Sequence, residues 1–205
     1  MFFNMRSISL ILLLFCFHVL LAQETFSPTR INENEIILDG LLSEKIWKNA
    51  TKIPLDIEIS PANNLEVQKK TTAYVTYSDT YLFIAFYAED DPKNIRGSIR
   101  PRDDFNIWND DLVMVRLDPF ADSRNNLALA VNSLGSQFDV KQVNALSDSD
   151  RYDSTFNMNF ESKSAVINDR YTVEMKIPFS EIPFPNGTDQ EWHINFYRRY
   201  FENGN

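Results

Sequence analysis

The chain has 205 residues, 43% hydrophobic and 24% charged, with a formal net charge of −9. It is long and apolar enough for a domain with its own core and too apolar to be disordered, and the acidic balance excludes a chain built to neutralise phosphates, so no nucleic acid is expected as partner. One cysteine and two histidines leave no disulfide framework, no redox pair and almost no scope for a His-based metal site or catalytic triad.

Arg6, an apolar run over residues 8–21 and the small residue Ala22 together predict a signal peptide over residues 1–22. The run is short for a membrane helix, and with no cysteine after Ala22 no lipid anchor is suggested there. Cleavage would remove Arg6, Cys16 and His18 and take the net charge from −9 to −10. Residues 23–31 then form a short leader, and residues 32–205 the domain. The expected location is exported: periplasm, outer membrane or extracellular.

Residues 34–38 suggest a short strand closed by Asp39-Gly40, and residues 43–50 one or two helical turns capped by Ser43, with Leu42, Ile46 and Trp47 inward. Residues 55–59 alternate apolar and acidic, as an edge strand does. Residues 71–77 and 81–88 are rich in aromatic and β-branched side chains and are separated by Ser78-Asp79-Thr80, which signals a hairpin. Residues 93–109 are polar and irregular. Residues 112–117 are an apolar run bounded by acids and a proline, the pattern of a central strand. Its period of two places Val113, Val115 and Leu117 in the core and Leu112, Met114 and Arg116 on the other face, which would floor a groove with Trp108, Asp110 and Asp111 at its mouth.

Residues 127–132 and 137–142 form a second hairpin through Ser133-Leu134-Gly135, and residues 148–153 are an acidic loop. Alternation of Phe156, Met158 and Phe160, and of Tyr171, Val173, Met175 and Ile177, predicts two further strands, with a turn at Asn168-Asp169. Residues 192–197 close the chain's strands, and residues 198–205 read as the start of another strand and a Gly-containing turn, so the domain is expected to be truncated at its C-terminus, with an edge prone to self-association. Roughly ten short strands and one short helix make an all-β chain, an antiparallel β-sandwich of jelly-roll or immunoglobulin-like type.

A sugar site on such a scaffold needs an aromatic platform for the apolar face of the ring and carboxylates, amides or Arg for the hydroxyls. Trp108 with Asp110, Asp111, Asn132, Arg100 and Arg102 has that composition. The competing reading packs Trp108 on the core and uses the acids to close a strand end. Hydrolysis would need two carboxylates in unequal environments. The pairs Asp103-Asp104 and Asp110-Asp111 are adjacent in sequence and no other acid and base are singled out, so no catalytic residue is assigned. The acids at 148, 150 and 153 lack the spacing and glycine of a calcium loop.

Residues 37–47, Tyr81 to Phe86, Trp108-Asn109-Asp110-Asp111, Val131 to Gly135 and residues 171–179 follow in order the pattern of family 9 carbohydrate-binding modules, and the chain resembles that family over nearly all of residues 32–200. The version it is most similar to stands at the N-terminus of long exported bacterial proteins whose C-terminal part resembles an outer-membrane barrel. The resemblance implies an antiparallel β-sandwich and non-catalytic binding of a polysaccharide or oligosaccharide. It also implies a link to glycoside hydrolases, carbohydrate catabolism and an envelope partner. In glycan-binding members two tryptophans sandwich a terminal sugar, and Trp108 matches the first. Asn132 matches a binding asparagine, while Met114 and Ala130 stand where an acid and an arginine are expected. Calcium is the one cofactor the resemblance leaves open, with no ligands mapped. Two other readings remain: a structural or protein-interaction sandwich that has lost the sugar, and a haem-binding relative, disfavoured because His193 is the only histidine of the mature chain.

Overall fold

The computed structural model describes residues 25–60, 65–144, 146–147 and 150–201. Eleven strands are seen among them: β1 (Thr29–Arg30), β2 (Thr51–Glu58), β3 (Leu65–Tyr77), β4 (Tyr81–Glu89), β5 (Leu112–Asp118), β6 (Asn125–Asn132), β7 (Gln137–Val143), β8 (Tyr152–Asp153), β9 (Glu161–Ile167), β10 (Arg170–Pro178) and β11 (His193–Arg199). One sheet runs β1-β3-β4-β10-β9 with β2 also on β3, and the other β11-β5-β6-β7-β8. All pairings are antiparallel except β1 with β3.

The core lies between the sheets and follows the period of two. Ile84, Phe86, Val173 and Met175 of the first sheet meet Val113, Val115, Leu129 and Val131 of the second, all essentially inaccessible to solvent. Each such side chain contributes about 1.5–3 kcal/mol by leaving water. The alternate residues of β4, Phe83 and Ala85, are buried too, under the helix α1 (Lys45–Asn49) with its Ile46 and Trp47.

One buried carboxylate ties that helix to the sheet. Glu174 of β10 is fully buried; its Oε2 accepts from the backbone N–H of Gly40 at 2.7 Å and of Asp39 at 3.0 Å, and its Oε1 from Trp47 Nε1 at 2.9 Å. Gly40 sits at φ +85, and a Cβ there would come within 2.8 Å of the Ser164 carbonyl carbon, so this turn requires glycine. Desolvation raises the Glu174 pKa, and the N–H donors do not fully offset it.

Four expectations need correction. Residues 34–38 form no strand: Asn32 caps a 3-10 helix, Glu33–Glu35, through a capping box that satisfies the backbone locally. Ser43 is not the cap of α1, which begins after Glu44 with no side-chain cap bond. Residues 156–160 alternate without joining a ladder, because Met158 and Phe160 plug the core from a loop whose backbone is bonded by side chains, Met158 N–H donating to Asp139 at 2.7 Å. The strand that does pair with β10 is β9, Glu-Ser-Lys-Ser-Ala-Val-Ile, whose polar first half and short apolar end give no period-two alternation. At the other end β11 extends through Arg199 and no strand begins at residues 200–201. The signal read in residues 1–22, the loop at 61–64 and residues 202–205 lie outside the described residues.

Candidate functional site

The outward face of the second sheet is laid out by strand register. One row reads Tyr197, Met114, Ala130, Phe138 across β11, β5, β6 and β7, and the next reads Asn195, Arg116, Ala128, Val140. Beyond it His193 stands beside Asp118 and Asn126 beside Gln142. Successive rows lie about 7 Å apart along the strands, so within three rows the face passes from apolar and aromatic to polar.

Trp108 sits on the 3-10 helix Phe105–Asn109, which Asp104 caps by accepting from Asn106 N–H at 2.9 Å. The indole is half-buried and packs edge-on against Phe138, with ring centroids 5.7 Å apart; Phe105 meets the same ring at 5.3 Å. Trp108, Leu112, Met114 and Tyr197 line one part of a groove of about 1050 Å³ whose other wall is β2 with the outer half of β3. The expected groove floor of Leu112 and Met114 is thus present, with Trp108 beside it. Arg116 lies outside that groove, its guanidinium 4.9 Å from the centroid of the Tyr197 ring.

Asp110 and Asp111 are not at the mouth of the groove; both are buried. Arg100 grips Asp110 with Nε at 2.7 Å and Nη2 at 3.0 Å, and Asn132 Nδ2 donates to the same carboxylate at 2.8 Å and to the Ser98 carbonyl at 2.8 Å. Asn132 Oδ1 accepts from the N–H groups of Leu134 and Ser136, so every polar atom of that amide is committed. Burial pushes the Asp110 carboxyl up, but Arg100 and Asn132 outweigh it and its pKa is lowered.

Asp111 accepts from the N–H groups of Arg96 at 3.3 Å and Phe201 at 3.1 Å; here burial prevails, and its pKa is raised. Arg102 donates to Gln137 at 2.7 Å, to Asp139 and to the Met158 carbonyl. Of the six residues singled out in the sequence, Arg100, Asp110 and Asn132 therefore come together, but bonded to one another. Arg102 and Asp111 brace neighbouring loops, and Trp108 alone of the six lines the groove.

For calcium, no cluster of three acidic, histidine or cysteine side chains forms among the described residues. Of the acids at 148, 150 and 153, the first lies outside them. Asp150 accepts from Ser147, and Asp153 from Thr155.

The polar end of the face was missed in the sequence. Arg116, Asn126, Gln142, His193 and Asn195 come from four strands, and only Arg116 carried a signal, as the one charge in an apolar strand.

A family model described as carbohydrate family 9 binding domain-like matches residues 37–205. A family 9 carbohydrate-binding module from Caldicellulosiruptor kristjanssonii, solved with cellotriose, is 20% identical with a TM-score of 0.52, covering 81% of this chain and 73% of that one. The same kind of module from that organism, solved with glucose, is 19% identical with a TM-score of 0.52, covering 80% and 75%. A candidate carbohydrate-binding protein from Bacteroides uniformis ATCC 8492 is 12% identical with a TM-score of 0.57, covering 84% of both chains. No curated protein matches the chain.

Proposed function

The chain belongs to the carbohydrate family 9 binding domain-like family, and from that premise we propose that the outward face of its second sheet binds a polysaccharide or oligosaccharide, a sugar ring lying against Trp108 and Tyr197. The family is one of binding domains, and the domain acts by holding its ligand. The observation that carries the reading is the pair of half-buried rings, Trp108 and Tyr197, that line the groove over the buried Met114 and Phe138. Pyranose rings have an apolar face that stacks on such side chains, at about 1 kcal/mol by analogy with aromatic pairs. The relatives solved with cellotriose and glucose support a glucan as the first ligand to try.

The sequence of residues 1–22 supports export and work in the envelope or outside the cell, where the domain would serve an envelope or polysaccharide-degrading partner and so carbohydrate catabolism. A second reading, a protein-interaction sandwich without sugar, is favoured by one observation. Met114 and Ala130, the two departures from the sugar-binding pattern, are register neighbours, so the acid and the arginine are missing from one spot.

A glycan array followed by titration calorimetry separates the two. Binding of β-linked oligosaccharides that falls about tenfold in Trp108→Ala, with the fold kept, supports the carbohydrate reading; no binding to any glycan supports the second.

A further inference from the structure

The polar end of the same face holds a well of about 330 Å³ lined by Arg116, Asp118, Asn126, Gln142, His193 and Asn195, among others. Its hydrogen bonding is unfinished in a way that can be read atom by atom. Asn144 Nδ2 donates to the Ser123 carbonyl, which only accepts, so Asn144 Oδ1 must be the atom that receives Gln142 Nε2 at 2.6 Å. That fixes the Gln142 amide, and Oε1, on a side chain 8% exposed, is left with no donor. Arg116 Nε is likewise buried without an acceptor, and the guanidinium makes no ion pair among the described residues, unlike Arg100, Arg102 and Arg198. Buried polar atoms left unpaired cost about 1–3 kcal/mol each, and a well that holds both an orphan acceptor and an orphan donor is matched by a ligand group that does both.

We propose that this well is a second sugar subsite, taking the next unit of a neutral oligosaccharide whose first unit lies on Trp108 and Tyr197; the proposal rests on the carbohydrate reading above. Vicinal hydroxyls donate to Gln142 Oε1 and accept from Arg116 Nε once those two side chains, whose orphan atoms are shut off from solvent without the sugar, turn toward it. Asn195 and Asn126 supply further amides. A carboxylate fits less well: it cannot donate to Gln142, and it would enter a well that Asp118 also lines, its Oδ2 3.3 Å from His193 Nδ1. The distance also suits an adjacent unit, because the Met114 and Arg116 rows lie about 7 Å apart along β5.

The test compares monomers with trimers. Glucose, xylose and mannose and their β-1,4-linked trimers are titrated into the full chain, wild type and Arg116→Met, Gln142→Leu and Asn195→Ala. The expected result is a trimer bound at least tenfold tighter than its monomer by the wild type, with that ratio falling toward one in each variant. Asn195 is exposed, so its variant keeps the test valid if either of the others fails to fold. Trp108-dependent binding with an unchanged ratio overturns the second subsite and leaves the carbohydrate reading standing, with the well holding water only. Tighter, Arg116-dependent binding of glucuronate than of glucose overturns the neutral class. Failure of every sugar to bind overturns both readings.

Discussion

Two polar clusters at the second sheet, each pairing an arginine with side-chain amides, end in opposite states. In the cluster of Arg100, Asp110 and Asn132 the Asp110 carboxylate and the Asn132 amide have their partners within the protein, and Asp110 and Asn132 are at most 2% exposed. In the cluster of Arg116, Gln142 and Asn195 the groups line an open well, and two buried atoms have no partner. A satisfied network rigidifies the loop ahead of β5 and has little left to offer a ligand. An unsatisfied one costs folding about 1–3 kcal/mol for each buried orphan atom and keeps its hydrogen bonds for something else. Glu174 repeats the closed arrangement on the first sheet, where it bonds Asp39, Gly40 and Trp47.

The sharpest way to break the comparison is therefore to remove a closed partner. Glu174→Ala leaves three N–H donors without an acceptor and should cost about 4 kcal/mol, lowering the Tm by roughly 10 °C, as read by thermal melting. Asp110→Asn should follow at about 2 kcal/mol, and this loss carries a pH signature. The folded-state pKa of Asp110 is lowered, so its stabilisation is complete above the ordinary Asp value near 3.9 and is lost as pH falls through the lowered one. The gap between wild type and variant should accordingly narrow as pH falls below about 4; a gap that widens on acidification would show that the Arg100 pairing does not hold Asp110 ionised.

Trp108→Ala tests the boundary between the two behaviours, since the indole both packs on Phe138 and faces the groove. Its edge-on contact predicts about 1 kcal/mol of stability lost, alongside the tenfold loss of sugar affinity. The smallest effect on folding belongs to the open cluster: Asn195→Ala should change stability by less than about 0.5 kcal/mol while lowering trimer affinity several-fold. A clear loss of stability there would mean that the well is structural after all.

Sequence alone carried the sandwich, because the inward residues of the long strands recur with a period of two and that patterning survives without tertiary information. β5, β10 and both hairpins could be read this way, and so could Trp108 and the floor of Leu112 and Met114. It misled where local bonding replaced a ladder, as at residues 34–38 and 156–160, and it passed over β9, an edge strand with little apolar surface to betray it.

The site divided along the same line. Arg100, Asp110 and Asn132 are the residue types that bind sugars, and composition does not reveal whether their hydrogen bonds are already committed. Arg116, Gln142, Asn195 and Tyr197 lie on β5, β7 and β11, far apart in the chain, and only the register of the folded sheet sets them side by side. Residue type sets what a group can bond, and packing decides whether that capacity is left over.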